Sequence, residues 1–202
     1  MVTQKSPMIV AITSSKGGVG KSTLAVNLAG ALAVRGPTAL MDADAVVGTA
    51  GRWATRAGGI EVLKEGEKPA ATTRYLVLDT EGRPALPDMV ALTKRAGVVL
   101  IPTGVSGVEL ETTLALCQGL KKAGAEMENV RAVITRVPPV GKAGEQVREE
   151  LRGRGMNVAQ TLIRQYIAYQ RAHGAGVLVR DAPDERAAVA WADILALALE
   201  VC

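Results

Sequence analysis

Phenylalanine is absent from this 202-residue sequence, whose aromatic side chains are limited to two tryptophans and three tyrosines. Such a chain offers few platforms on which unpaired bases could stack, which weighs against binding of single-stranded nucleic acid. The two cysteines, Cys117 and Cys202, lie far apart in a spacing that indicates neither a metal site nor a disulfide framework. The single histidine, His173, has no evident catalytic partner and is expected on a basic surface.

Long hydrophobic segments are also missing. No apolar run approaches the roughly 18 residues needed to cross a bilayer, and the N-terminal MVTQKSP lacks the hydrophobic segment of a signal peptide. At 48% hydrophobic residues, the chain is nevertheless long enough to bury a core of its own. We therefore expect a single domain over residues 1–202 and a cytoplasmic protein.

Short apolar runs rich in β-branched residues alternate with helical patterns along the chain. This alternation predicts an α/β fold in which a mostly parallel, twisted sheet carries helices on both faces. The predicted strands cover residues 8–13, 38–41, 60–63, 75–78, 98–101, 130–135 and 177–179. The predicted helices cover residues 22–34, 84–95, 107–123, 143–153 and 183–200, and residues 64–73 are expected to form a loop.

The segment SSKGGVGKST, residues 15–24, lies between the first predicted strand and the first predicted helix. Glycines in a strand-to-helix turn allow backbone N–H groups and the helix N-terminus to converge on a phosphate. The strict phosphate-loop pattern fails because Ser15 replaces its first glycine, but the GGVGKST core predicts nucleoside triphosphate binding. Lys21 would reach the β- and γ-phosphates and Ser22 would bind Mg²⁺. The expected nucleotide-binding residues of the loop are Lys16, Gly17, Gly18, Val19, Gly20, Lys21, Ser22 and Thr23.

Acidic residues follow two of the predicted strands, at the sheet edge where nucleotide sites lie in open α/β folds. The segment TALMDAD ends in Asp42 and Asp44, and RYLVLDTEG places Asp79 after four apolar residues. An aspartate in this position near a phosphate loop can hold the magnesium shell or orient the attacking water. The alternative is a helix cap or turn residue, and the two-residue spacing of Asp42 and Asp44 favours a structural role for one of them.

These segments resemble the ParA/MinD ATPases with a deviant Walker motif. The resemblance rests on KGGVGKST with its additional lysine, on DAD, LVLDTEG and ITRVPP, and on IRQYIAYQRAHGAGVLVRD. It covers nearly all of residues 8–200 and is strongest to short ParA partition proteins that lack an N-terminal DNA-binding extension. It implies a P-loop NTPase fold and an ATPase that uses ATP and Mg²⁺.

The resemblance also implies a role for the additional lysine, Lys16. In that family this lysine reaches the nucleotide of the partner subunit, so ATP is sandwiched between two protomers and a homodimer forms when ATP is bound. A cation supplied in trans stabilises phosphate charge much as an arginine finger does. Within one protomer, the resemblance assigns phosphate binding to Lys21, metal binding to Ser22, Asp79 and Asp42, water orientation to Asp44, and adenine contacts to Thr135 and Arg136.

Two departures from the family pattern bear on hydrolysis. The family often continues from the second strand as D-x-D-P-Q, whereas this chain reads DADAV. Many members have a small residue and glycine after the Walker-B strand, which in this chain is the apolar run that ends in Asp79. This chain has Thr80, Glu81 and Gly82 there. A negative charge at Glu81, if it points inward, would lie beside the magnesium site, so we expect slow hydrolysis with nucleotide binding retained.

Basic charge is concentrated late in the chain. Residues 131–180 hold nine Lys or Arg against three Glu, and residues 151–180 hold five arginines and no acid. Clustered arginine without compensating acid indicates contact with a phosphate backbone, and the scarcity of aromatics favours non-specific binding of duplex DNA. Arg164 and Arg171, two helical turns apart, could share one helix face. The expected DNA contacts are Arg164, Arg171, Arg154 and Arg180, unless these arginines form a solvated face or pair with acids elsewhere.

Three alternatives remain at this point. A MinD-like membrane protein would need a basic amphipathic C-terminal helix, whereas residues 187–202 are apolar and acidic, as in a core helix, so no membrane contact is expected. A metabolic ligase is compatible with the sequence. An iron–sulfur reductase would need cysteines that bind the cluster at strand ends, whereas Cys117 lies in a helical pattern and fits a buried hydrophobic position. An ATP-binding scaffold without hydrolysis also fits the departures. The favoured function is a DNA-partition ATPase stimulated by a ParB-type centromere-binding protein.

Overall fold

The computed structural model describes residues 6–44 and 48–202. Six strands form one parallel sheet in the order β3-β2-β4-β1-β5-β6. The strands are β1 (Met8–Ile12), β2 (Thr38–Asp42), β3 (Glu61–Leu63), β4 (Tyr75–Asp79), β5 (Val98–Thr103) and β6 (Val130–Ile134). The helices are α1 (Lys21–Ala33), α2 (Thr49–Ala57), α3 (Leu86–Arg95), α4 (Gly107–Lys122), α5 (Ala143–Gly153), α6 (Ile167–Ala175) and α7 (Ala187–Val201). The predicted fold class is confirmed.

Helices cover both faces of the sheet, and the side-chain alternation of β1 shows how. Val10 and Ile12 pack into a core shared with α1, α2, α6 and α7, whereas Ala11, between them, packs into a second core with α3 and α4. A strand buried on both faces reads as a continuous apolar run, which is why MIVAI predicts it well. β1 therefore lies at the centre of the molecule, and the loop that follows it is held on a rigid base.

The central helix α1 is buried almost all round, which explains its Ala- and Leu-rich sequence and its single glycine, Gly30. A Cβ atom added at Gly30 would lie 2.5 Å from Cδ1 of the buried Leu178. Asn27 is the polar exception inside this helix, and its Oδ1 accepts a hydrogen bond from the backbone N–H of Val179 at 2.8 Å. α1 is thus fixed against the segment that leads to α7.

The predicted strand at 177–179 is wrong. Residues there follow a left-handed helix cap at Gly176 and lead into a 3₁₀ turn, Val179–Asp181, so their burial comes from helix packing and not from a sheet. The helices α2 and α6 were not predicted. The predicted final helix begins at Ala187, four residues later than expected from the predicted start at 183.

An extended segment at the β6 edge takes the place of the expected seventh strand. Ala132 forms an isolated parallel bridge with Val158, and Val137 forms another with Arg164. Backbone hydrogen bonds of 2.9 Å from Ala159 to Ala132 and from Ile163 to Ile134 hold it along β6. This edge segment, residues 158–164, brings the start of α6 to the carboxyl end of the sheet.

Candidate nucleotide-binding site

The loop between β1 and α1 forms an open cradle at the carboxyl edge of the sheet. Gly18 and Gly20 have φ angles of 75° and 88°, which L side chains rarely adopt, and a Cβ atom on either would meet nothing within 4 Å. Gly20 is the N-cap of α1, so the first N–H groups of that helix face the cradle. Val19 is buried and anchors the loop, whereas residues 15–18 are exposed. This arrangement suits an anion.

The two lysines of the loop lie in different surroundings. Lys21 is buried to 8% exposure, and its ammonium donates to the Ser14 hydroxyl at 3.4 Å, while that hydroxyl donates to the Lys16 carbonyl at 2.8 Å. The Lys16 side chain is exposed. One lysine therefore lies under the cradle of its own chain, and the other is accessible from outside.

Asp42 and Asp79 end β2 and β4 at the same level, as paired residues of neighbouring parallel strands. Asp79 is only 2% exposed, and its Oδ1 has no hydrogen-bond partner within the described part of the chain. Burial raises its pKa from the ordinary 3.8 to about 6; a hydrogen bond with Ser22 and the charge of Lys21 act in the opposite direction. The charges of Asp42 and Asp44 raise the pKa further. Burial thus favours the neutral form of this acid, and a nearby cation would favour its charged form.

Asp42 also has a structural role. Its Oδ1 accepts the backbone N–H of Asp44 at 3.0 Å, and its Oδ2 accepts that of Gly51 at 2.9 Å, in the first turn of α2. This approach is close enough that a Cβ atom on Gly51 would lie 3.5 Å from the Asp42 Cβ. Ala45 and Val46, the part of the DADAV departure that replaces proline and glutamine, lie outside the described residues.

The donors around Asp79 fit a magnesium ion bound together with a nucleotide. Ser22 and Asp42 both lie close enough to Asp79 to influence its pKa, and the unpartnered Oδ1 of Asp79 provides an oxygen for a cation or its water. Within residues 6–44 and 48–202, no group of three or more His, Cys, Asp or Glu side chains forms a metal site by itself. Mg²⁺ in nucleotide sites takes one or two carboxylates and completes its shell with phosphates and water.

A cavity of about 230 Å³ opens beside the phosphate loop. The predicted adenine residues Thr135 and Arg136 both line it, next to Gly18, Gly20 and Thr23. Thr135 is buried, and its hydroxyl lies 3.1 Å from the carbonyl oxygens of both Val19 and Thr103, which fixes the end of β6 against the phosphate loop. The remaining lining residues, which the sequence prediction missed, are Leu24, Ile163, Arg164, Gln165, Tyr166, Tyr169, Gln170 and Ile194.

Glu109, in the first turn of α4, is a further residue at this site that was not predicted. It forms an ion pair with Arg136, whose φ of 54° is the one positive value of a non-glycine residue in the described ranges. Partial burial raises the pKa of Glu109, but Ser106 and the charges of Arg136 and Lys16 outweigh it and hold the pKa below its usual range. The S-x-x-E capping pattern at Ser106 was the available signal in the sequence.

The loops that follow β1 and β4 are joined by their side chains. The Thr80 hydroxyl donates to the Thr13 hydroxyl at 3.1 Å, with both residues buried. Glu81 is exposed, so the inward-pointing charge considered from the sequence is not found. The TEG departure therefore places its carboxylate on the surface.

The four arginines predicted to contact DNA each have an acidic partner. Arg164 pairs with Asp193 at 2.5 Å and Arg171 with Asp184 at 3.1 Å. Arg154 pairs with Glu150 at 2.8 Å, and Arg180 with Asp181 at 3.0 Å. The absence of acid between residues 151 and 180 thus does not leave these arginines uncompensated, because α5, α7 and the segment before α7 supply the carboxylates.

The shared helix face considered for Arg164 and Arg171 is not found. Arg164 ends the edge segment before α6, whereas Arg171 lies inside that helix. Arg171, Arg180 and Arg154 remain exposed beside their partners.

Cys117 is buried, as predicted. His173 is exposed and contacts the Trp53 ring edge-on at 5.0 Å. No helix in the described ranges is both long and apolar enough to span a membrane.

The sheet order, the glycine cradle and the acids at the strand ends define a nucleotide-binding domain of the P-loop class. A model of the CobQ/CobB/MinD/ParA nucleotide-binding domain family matches residues 10–179. The chain belongs to this family, and its fold neighbours are ATPases of the ParA/MinD type, so the resemblance stated from the sequence is confirmed.

A curated relative and two solved structures show the range of this similarity. The chain is 32% identical to the maintenance of carboxysome distribution protein A of Gloeobacter kilaueensis, over 96% of this chain and 94% of that protein. A plasmid partition protein from Borrelia burgdorferi bound to AMPPNP aligns with a TM-score of 0.71 at 17% identity, covering 96% of this chain and 99% of that one. The ATP complex of a McdA variant from Cyanothece aligns with a TM-score of 0.70 at 15% identity, covering 97% of each chain. At these identities the two structures establish the fold alone.

Proposed function

We propose that this chain is a ParA-type ATPase that dimerises around ATP, binds duplex DNA in that state and hydrolyses ATP slowly to position a cargo. The observation that carries the proposal is the placement of Lys21, Ser22 and Asp79 around one glycine cradle, together with the buried Asp79 oxygen that has no partner within the described residues. The family match and the nucleotide complexes of the fold neighbours support ATP as the ligand.

Phosphate binding and hydrolysis are assigned to separate residues. The cradle N–H groups and Lys21 would bind the β- and γ-phosphates, and Ser22, Asp79 and Asp42 would hold Mg²⁺. When bound, the ion supplies positive charge to the phosphate oxygens. Asp44, two residues after the end of β2, would orient the attacking water. The hydrogen bonds that Asp42 accepts from the backbone N–H groups of Asp44 and Gly51 would keep Asp44 in place.

Dimerisation is assigned to Lys16. Because its side chain is exposed, whereas Lys21 is buried under the cradle of its own chain, Lys16 could reach a nucleotide bound to a second copy. The charge of Lys16 contributes to the lowered pKa of Glu109, so this cation lies near a carboxylate in the monomer. ATP would then hold two protomers together, and hydrolysis would release them.

The DNA-binding surface is assigned to the exposed arginines Arg171, Arg180 and Arg154. The ion pairs of Arg154 and Arg180 are exposed and contribute little stability, so these two side chains can exchange their carboxylate partners for DNA phosphates at small cost. Arg171 has an exposed guanidinium, although the side chain of its partner Asp184 is only 6% exposed. A dimer doubles the contacts and raises the apparent affinity through effective concentration. In this way ATP would control DNA binding without a separate switch in the monomer.

Two kinds of cargo fit the family. A partition ATPase would act on a plasmid or chromosome through a ParB-type centromere-binding protein. The 32% identity to a carboxysome distribution protein supports a second candidate, in which the cargo is a protein-bounded compartment recognised through another adaptor. Both share the nucleotide cycle, so they are separated by the adaptor that stimulates hydrolysis.

The direct test is titration of random-sequence duplex DNA with ATP, ADP or no nucleotide, over several salt concentrations. We expect binding only with ATP, weakening steeply as salt rises, and absent in Lys16→Ala. Binding without regard to nucleotide would reject the ATP-dependent switch. ATP-dependent dimerisation without phosphate release would instead identify a non-hydrolysing scaffold, and absence of DNA binding under every condition would favour a metabolic enzyme.

A further inference from the structure

Arg164 and Asp193 form the most completely bonded ion pair near the cavity. Asp193, on α7, is 7% exposed. Its Oδ2 accepts the Arg164 backbone N–H at 3.1 Å and the guanidinium Nε at 3.0 Å, and its Oδ1 accepts Nη2 at 2.5 Å. A buried carboxylate with three donors from one residue fixes both the backbone and the side chain of that residue.

The residue fixed in this way belongs to the cavity wall. The Arg164 guanidinium carbon lies 5.7 Å from the ring centroid of Tyr166, and both residues line the cavity beside the phosphate loop. Tyr169, also in the lining, donates its hydroxyl to the Ala190 carbonyl of α7 at 3.1 Å. The part of the cavity wall that contains Arg164 and Tyr169 is therefore attached to α7 at two points.

We propose that Asp193 is a positioning residue which, through Arg164, holds the wall that receives the nucleoside end of the nucleotide. This inference rests on the proposed function, because it requires a nucleoside triphosphate on the phosphate loop. With the phosphates in the cradle, the remainder of the ligand extends into the adjoining cavity. There Tyr166 and Arg164 offer flat surfaces for a purine, and Gln165 offers an amide for its polar edge.

Asp193 does not line the cavity, so its effect would be indirect. If Asp193 is made neutral, Arg164 loses its charged acceptor, and the guanidinium and Tyr166 are no longer held in one arrangement. Part of the binding energy would then go to ordering the wall. The loss should affect ligands that carry a nucleoside and spare those that occupy the phosphate loop alone.

The experiment compares ATP with inorganic tripolyphosphate, both with Mg²⁺, by calorimetry on wild type, Asp193→Asn and Glu200→Gln. Glu200 is the matched control because it also lies on α7 and accepts N–H groups of the edge segment, from Gln160 and Thr161, at 2.7 and 2.9 Å. We expect Asp193→Asn to weaken ATP binding by about tenfold or more, with tripolyphosphate binding unchanged. Glu200→Gln should retain both affinities.

A second variant keeps the test valid if Asp193→Asn fails to fold. Tyr166→Ala leaves the ion pair intact and should show the same selective loss for ATP. Equal loss of both ligands in Asp193→Asn would overturn the positioning role in favour of general destabilisation, and unchanged ATP affinity in a folded variant would overturn it directly. Failure of wild type to bind ATP would reject the proposed function itself, which is a distinguishable result.

Discussion

Asp42 and Asp79 occupy paired positions at the ends of two neighbouring strands, and the charge of Asp42 raises the cost of ionising the buried Asp79. Asp42 has backbone N–H donors on both oxygens, whereas one oxygen of the buried Asp79 has no partner. The two acids are therefore unequal. Asp42 fits a structural role as well as the metal role proposed for it, and Asp79 is the residue that a cation would stabilise most.

Asp79→Asn should stabilise the nucleotide-free and magnesium-free protein above pH 6. The pKa is raised from 3.8 to about 6 in the folded chain, so the stabilising contribution of protonated Asp79 is complete below about pH 4. It is lost as the pH rises through about 6, at a total cost on the order of 3 kcal/mol. The variant removes this cost, and urea unfolding between pH 4 and 8 measures it.

The control for this experiment is Asp88→Asn, an exposed aspartate in the first turn of α3. Asp88→Asn leaves Asp79 in place, so this variant should retain the pH dependence of wild-type stability over the same pH range. If Asp79→Asn and wild type differ in free energy of unfolding by the same amount at pH 4 and at pH 8, ionisation of Asp79 carries no such cost.

Lys16→Ala and Lys21→Ala should separate dimer formation from nucleotide binding. Lys21 lies buried under the cradle, so its loss should abolish ATP binding. Lys16 is exposed, so its loss should leave ATP affinity of the monomer within a few-fold of wild type and abolish the ATP-dependent dimer. Light scattering after size exclusion measures the dimer, and calorimetry measures the affinity. A Lys16→Ala protein that still dimerises with ATP would contradict the assignment in trans.

Arg171→Ala and Arg180→Ala should each weaken DNA binding of the ATP-bound protein. Each lost phosphate contact should reduce the slope of log affinity against log salt by about 1. Lys122→Ala is the matched control, because it removes one exposed positive charge at the far end of α4. Arg164→Ala should reduce DNA binding mainly because it weakens the binding of ATP. If Lys122→Ala and Arg171→Ala lost the same DNA affinity, binding would depend on the net charge of the protein and not on a defined surface.

Asp42→Ala should destabilise the protein in the absence of nucleotide. Two backbone N–H groups, those of Asp44 and Gly51, would lose their acceptor, at an expected cost of about 1–3 kcal/mol. Asp42→Asn retains one acceptor oxygen, so its stability should lie between that of Asp42→Ala and that of wild type. Thermal unfolding without ligand measures the effect. Unchanged stability together with lost hydrolysis would assign Asp42 to the metal alone.

The sequence predicted the structure correctly where a single short segment determines the local fold. The run MIVAI, the glycines and lysines that follow it, and the apolar run before Asp79 led directly to β1, the phosphate loop and β4. These elements depend on local burial and local backbone conformation. The roles of their side chains toward ATP and Mg²⁺ remain predictions.

The errors arose where distant residues decide the structure. The VLV run at 177–179 has a strand composition, but Val179 gives its N–H to Asn27 of α1. The N-terminal turn of α2 is bonded by Asp42, on a different element. Arg164 seemed uncompensated because its partner, Asp193, lies 29 residues later. None of these contacts has a signature within a sequence window.

The hydrogen bond between the Thr13 and Thr80 hydroxyls makes the phosphate loop and the turn after β4 one mechanical unit. Thr80 also donates its backbone N–H to Ile12, so both the side chain and the main chain of this turn follow β1. The exposed Glu81 directly follows Thr80, so this solvent-facing turn is attached to the strand that carries the phosphate loop.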